Sequence, residues 1–134
     1  LQGSAPRGGN ALSALSALKC LLIASERLKL DERQRKSLDT ALRKGLAYLQ
    51  KYWTLRTVPP AEAAWCLQRH EYLVLLAQVL SRARVVRVAG SDWRLEGAFL
   101  LLREQRPDGA WDSGQGLETL ETACALLFLS AARP

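Results

Sequence analysis

Few residues in this chain have the type and spacing for chemistry, and most stand apart from one another. The only histidine, His70, lies in "CLQRHEYL" between Arg69 and Glu71, with Trp65 and Tyr72 close by. A general base needs a partner that orients it and a reacting group within hydrogen-bond reach. Nothing in the stretch supplies either, so His70 is read as a rim histidine or a hydrogen-bonded core histidine. Trp65, His70 and Tyr72 could line a hollow that takes a ligand, but packing against neighbouring helices explains them better. Glu118 and Glu121 could share a cation; as first-turn charges of a helix they also complement its dipole without any ligand. Arg82, Arg84 and Arg87 could touch phosphate with Trp93 stacking nearby, but no RNA- or DNA-binding signature supports it and a solvated connector explains them. Asp108 sits in "RPDG", a turn sequence, and a turn role is preferred to a catalytic one. Cys20, Cys66 and Cys124 are far apart, odd in number and set among Ala and Leu, so they are expected to be small buried side chains outside any disulfide framework. The sequence holds no CxxC, GxGxxG, P-loop, GxSxG or HExxH pattern. No catalytic residue, metal or cofactor is assigned.

The elements that must position these residues follow from length and pattern. The 134 residues suit one domain or a piece of a larger protein, and 49% hydrophobic residues supply a core. The net charge of +6 is compatible with nucleic acid, anionic lipid or an acidic protein face. The basic residues are mixed with Glu and Asp along helical faces, which favours a solvated surface and disfavours nucleic acid. No apolar run reaches the ~20 residues of a membrane span. Residues 1–10, "LQGSAPRGGN", are expected to be a flexible tail or an expression remnant. The native start can therefore lie upstream, and the compartment stays open between cytoplasm and periplasm.

Residues 11–134 predict one all-α domain of about five helices. "ALSALSALKCLLIASERLKL" is apolar or small nearly all round, which predicts burial on more than one face. "DERQRKSLDTALRKGLAYLQKYW" is amphipathic: Leu38, Leu42, Leu46 and Leu49 form a stripe, and Asp31 can cap it. Pro59–Pro60 mark the start of a third helix, again rich in apolar residues. Ser91 or Asp92 caps the fourth, "RPDG" stops it, and an apolar fifth closes the chain. Val85, Val86 and Val88 offer at most a short, isolated strand. The alternation of buried and amphipathic helices suggests inner helices wrapped by outer ones.

Two of the outer segments are similar. "KGLAYLQKYW" and "EGAFLLLREQRPDGAW" align with Gly45 and Gly97, 52 residues apart. A glycine within a helix costs roughly 0.8–1 kcal/mol relative to alanine, so two at matched points predict close helix contact. A period near 50 marks a repeated α-hairpin. The second segment resembles the QW repeat of the prenyltransferase and squalene-oxidase-repeat superfamily, chiefly its uncharacterised bacterial branch. Gly97, Leu101, Gln105, Asp108, Gly109 and Trp111 fit the pattern; Glu96 replaces the usual base, and Leu100 the usual aromatic, with Phe99 one place off. The first copy keeps Lys44, Gly45, Tyr48 and Leu49 but lacks the Gln and the Gly-x-Trp. The resemblance is strong over residues 91–131 and weak before residue 41.

The resemblance implies an α/α toroid, here a partial one with too few helices to close a ring. It also implies that Gln105 bonds backbone groups at helix ends and stacks on Trp111, a structural fastener. The superfamily's Asp-rich protonating acid, its zinc ligands and its thioester segment are all absent. The leading expectation is therefore a non-catalytic scaffold or protein-interaction domain, completed by the remainder of a longer chain, by another protein or by self-association. The alternatives are part of an isoprenoid-processing enzyme whose catalytic residues lie outside this chain, and a basic module that binds an anionic polymer.

Overall fold

The computed structural model describes residues 11–56 and 66–133, with residues 66–68 described by their backbone alone. The tail at residues 1–10, Pro59–Pro60, Trp65 and the Cys66 side chain lie outside the described residues. Among the described residues five helices form in this order: α1 (Ala11–Arg27), α2 (Glu32–Lys51), α3 (Cys66–Arg82), α4 (Trp93–Glu104) and α5 (Glu118–Ala131). The described residues are all-α apart from one two-stranded hairpin, β1 (Arg87–Val88) and β2 (Ser91–Asp92).

Local sequence explains where these elements begin and end. The Asp31 carboxylate accepts the Gln34 amide at 2.7 Å, and the Gln34 side chain accepts the Asp31 amide at 3.0 Å, a reciprocal cap on α2. Asp92, not Ser91, caps α4 by accepting from the amides of Arg94 and Leu95. α3 ends as Arg84 turns left-handed (φ 56°) and the Val85 amide reaches back to the Leu80 carbonyl. The β1–β2 hairpin turns on Ala89 and Gly90, both at positive φ (49° and 84°), the geometry a two-residue hairpin requires.

The packing order is not the chain order. α3 lies between α1 and α5 and packs on both; α2 packs on α1, and α4 packs on α5. α3 is accordingly the best covered, with Tyr72, Leu73, Leu76, Ala77, Val79 and Leu80 all buried. Trp93 is fully buried beneath the hairpin, where its indole N–H donates to the Val85 carbonyl at 2.7 Å and its ring meets Phe128 edge-on.

Two sequence expectations are corrected here. α1 buries a single stripe, Ala11, Leu15, Leu18 and Leu22, and Cys20 is exposed. Ala, Ser and Cys fit a buried or a wet surface equally well, so their presence did not demand a second covered face. α5 is covered on one side only: Glu121, Ala125 and Phe128 are buried, while Leu120, Leu126 and Leu127 are exposed. Among the described residues no helix is long and apolar enough to cross a membrane.

Candidate functional site

The residues singled out from sequence gather mainly at the corner between α4 and α5, spanned by residues 105–117. The last carbonyls of α4 have no partner within the helix. The Trp111 indole N–H donates to one of them, Leu101 O, at 2.8 Å, and the ring is buried. The Trp111 backbone amide donates to the Thr122 hydroxyl at 3.0 Å, and that hydroxyl lies 3.3 Å from Trp111 O. One aromatic residue thus ties the end of α4 to the first turns of α5.

Glu121 completes the corner from the other side. It is fully buried; one carboxylate oxygen accepts the Ser113 amide at 2.6 Å and the other accepts the Ser113 hydroxyl. A buried carboxylate costs several kcal/mol unless its oxygens are paired, and here both are. Glu118 is exposed and pairs with Arg106 at 3.2 Å, so the two glutamates do not form a joint cation site. Arg106 also pairs with Asp108 at 2.7 Å and Asp112 at 3.3 Å.

Asp108 and Gly109 do turn work. The Gly109 amide returns to Arg106 O, the Ala110 amide donates to the Asp108 carboxylate at 3.1 Å, and Gly109 has φ 89°. Gln105 is exposed, and its amide donates to Gly109 O at 2.8 Å, inside the turn. The sequence reading gave the helix-end contact to Gln105; the structure gives it to the indole of Trp111. Gln105 is anchored to the turn four residues ahead of it, so its amide is spent locally.

Gly45 and Gly97 both lie where helices touch. A Cβ on Gly97 would stand 2.2 Å from the Phe128 ring, and one on Gly45 would stand 2.4 Å from a Leu18 methyl. No protein-family model, curated protein or solved structure matches this chain.

The second group from sequence separates into individual roles. Tyr72 is buried, its hydroxyl donates to Thr54 O at 3.0 Å, and burial pushes its pKa well above the ordinary tyrosine value. His70 is 5% exposed, and neither ring nitrogen has a hydrogen-bond partner among the described residues. It is therefore a buried residue, not a rim one, and no described residue supplies the hydrogen bond expected of a core histidine. Trp93 is buried and cannot stack on a ligand beside Arg82, Arg84 and Arg87; Arg94 lies 5.5 Å from its ring. Lys44 is exposed on α2. Burial, and then the Glu71 and Glu121 carboxylates, push the Cys124 thiol up, which disfavours its thiolate. Among the described residues no group of three His, Cys, Asp or Glu side chains could hold a metal.

Among the described residues are concavities that the sequence reading missed, two of them at helix junctions. One, of about 270 Å³, is lined by Leu55, Arg56, Glu96, Phe99, Leu100 and Arg103. It lies beside the contact in which the Trp53 indole donates to Glu96 at 3.3 Å, a link between the end of α2 and α4. The other, of about 630 Å³, runs between α1 and α2 over Leu21, Ala24, Leu38 and Ala41. From α1 only Leu21 and Ala24 line it, within the segment whose apolar or small residues predict burial on more than one face.

Proposed function

We propose that this chain is a non-catalytic protein-interaction domain built from QW-type helical hairpins, forming an arc of an α/α toroid. The packing order supports the arc: α1, α3 and α5 form a row, with α2 and α4 each laid on a member of it. The observation that carries the interaction reading is the apolar surface left open at the α4–α5 end. Leu95, Phe99 and Leu102 recur at helical spacing along α4 and are 61%, 66% and 58% exposed; Leu120, Leu126 and Leu127 are exposed on α5. Scattered apolar residues are ordinary on a surface, but stripes of large ones on two adjoining helices mark a face that another surface covers. The chemistry-bearing residues meanwhile serve as fasteners: Trp111, Glu121, Asp108 and Arg106 all spend their polar groups on the corner.

Sedimentation velocity over a dilution series tests this reading. Association that weakens on dilution, and is lost in Phe99→Glu/Leu127→Glu with unchanged helical circular dichroism, is the expected result. A monomer at every concentration that binds no hydrophobic dye would overturn it.

A further inference from the structure

The opposite end of the molecule carries a surface of different chemistry. The groove between α1 and α2 has an apolar floor of Leu21, Ala24, Leu38 and Ala41. Arg33, Ser37 and Ala41 line both this groove and a shallower concavity of about 490 Å³ that also includes Lys36, Thr40 and Lys44. The two hollows therefore adjoin along the Arg33, Ser37 and Ala41 row of α2, with Arg33 in both and Lys36 and Lys44 on the side away from α1. From Arg33 to Lys44 the stripe is about 16 Å long at the helical rise.

These cations are free to meet a partner. Arg33, Lys36 and Lys44 are exposed. Among the described residues the ion pairs use Arg69, Arg82 and Arg106, and none uses a side chain of α2. The one carboxylate in the lining, Asp31, already caps α2 through the Gln34 amide. A trough with an apolar pair three residues apart on each wall, Leu21 with Ala24 and Leu38 with Ala41, and one basic edge, has the shape and charge for an amphipathic helix laid lengthwise.

We propose that the α1–α2 groove binds an acidic amphipathic helix of another protein, about three turns long, with its apolar face on Leu21, Ala24, Leu38 and Ala41 and its carboxylates against Arg33, Lys36 and Lys44. The proposal rests on the interaction-domain reading and names a partner for it. A nucleic acid or a lipid surface satisfies the cations but leaves the adjoining apolar floor without a matched occupant. The acidic helix satisfies both, and the basic edge fixes its orientation and speeds its capture.

The test uses a fluorescein-labelled 14-residue peptide with Leu at i, i+3, i+7 and i+10 and Glu beside them, titrated with the whole chain at low salt and followed by anisotropy. Saturable binding is expected, weakened about tenfold by Arg33→Glu/Lys36→Glu and by molar salt. An isomer with the Leu positions scrambled and the same charge should not bind. Equal binding of the scrambled isomer, or no saturable binding of the first peptide, overturns the proposal. So does displacement of the peptide by single-stranded oligothymidylate or by phosphatidylserine vesicles at lower concentration than unlabelled peptide. The salt and scrambled-peptide arms need no altered protein, so an unfolded variant leaves the outcome decided. Loss of peptide binding with association at the α4–α5 face intact removes this proposal alone; loss of both removes the interaction reading.

Discussion

The two helix corners of this protein, α1 to α2 and α4 to α5, solve the same packing problem with different means. Both set a glycine of one helix against a large side chain of its hairpin partner, Gly45 of α2 on Leu18 of α1 and Gly97 of α4 on Phe128 of α5. The first corner turns in residues 28–31 and is held by one exposed capping box at Asp31 and Gln34. The second spans residues 105–117 and carries a buried indole, a buried carboxylate and a three-way arginine hub. A connection of that length is costly to order, since each fixed residue loses roughly 1–2 kcal/mol of backbone entropy. A short connection keeps its ends together without help; a long one needs side chains that bond across it. The conspicuous residues of this sequence lie at the second corner for that reason, with their polar groups bonded across it.

The largest expected effect that probes this contrast is at Trp111. Trp111→Ala removes the buried ring and the bond to Leu101 O together and should cost about 3–5 kcal/mol in urea unfolding. Trp111→Phe retains most of the ring and should cost about 1–3 kcal/mol, the share of the lost N–H and the carbonyl it leaves unpaired. A near-neutral Trp111→Ala would show that the second corner is no tighter than the first.

The glycines sharpen the comparison. Gly97→Ala drives a methyl into a fully buried aromatic ring and should destabilise by about 1–3 kcal/mol. In Gly45→Ala the obstacle is the smaller buried side chain of Leu18, and the gain in helix propensity of about 0.8–1 kcal/mol partly offsets the clash, so the loss should be smaller than in Gly97→Ala. Thermal denaturation of the two variants side by side checks the order.

Smaller still are the exposed bonds. Asp31→Ala removes the cap of α2 and should cost about 1 kcal/mol. Gln105→Ala breaks one exposed bond within a turn and should cost no more than about 1 kcal/mol, measured against Trp111→Ala in the same denaturant series. An effect of Gln105→Ala as large as that of Trp111→Ala would restore glutamine as the clamp.

Tyr72 gives the pH dependence. Its folded pKa is raised by burial, so the stability it contributes is present below the ordinary value of 10.0 and is lost progressively as pH rises above it. The melting temperature should fall faster above pH 10 in the unaltered chain than in Tyr72→Phe.

Local features were legible because their causes are local. The starts of α2 and α4 follow from Asp31 and Asp92 bonding amides two or three residues on, and the stop after α4 follows from Pro107, Asp108 and Gly109 in a tight turn. The two matched glycines were visible because a helix rarely carries one without a close neighbour. The fastener was legible in its location and misjudged in its parts. Gln105 and Trp111 are equally prominent in the sequence, and only the path of residues 105–117 decides which of them reaches Leu101. Glu121 was read as a first-turn charge because nothing in the sequence announces that Ser113 will fold over it.

By itself, the sequence determined the five helices, the cap of α2, the turn after α4, and the absence of familiar catalytic motifs, because backbone hydrogen bonding and apolar periodicity act over a few residues. Tertiary structure decided which apolar stripes are covered, since a neighbour distant in the chain must supply the cover. It placed α3 between two helices and enclosed it, left α5 and α4 each open on one side, exposed Cys20, and buried Glu121. Leucine at helical spacing looks the same in all of these places until the partner helix is in position.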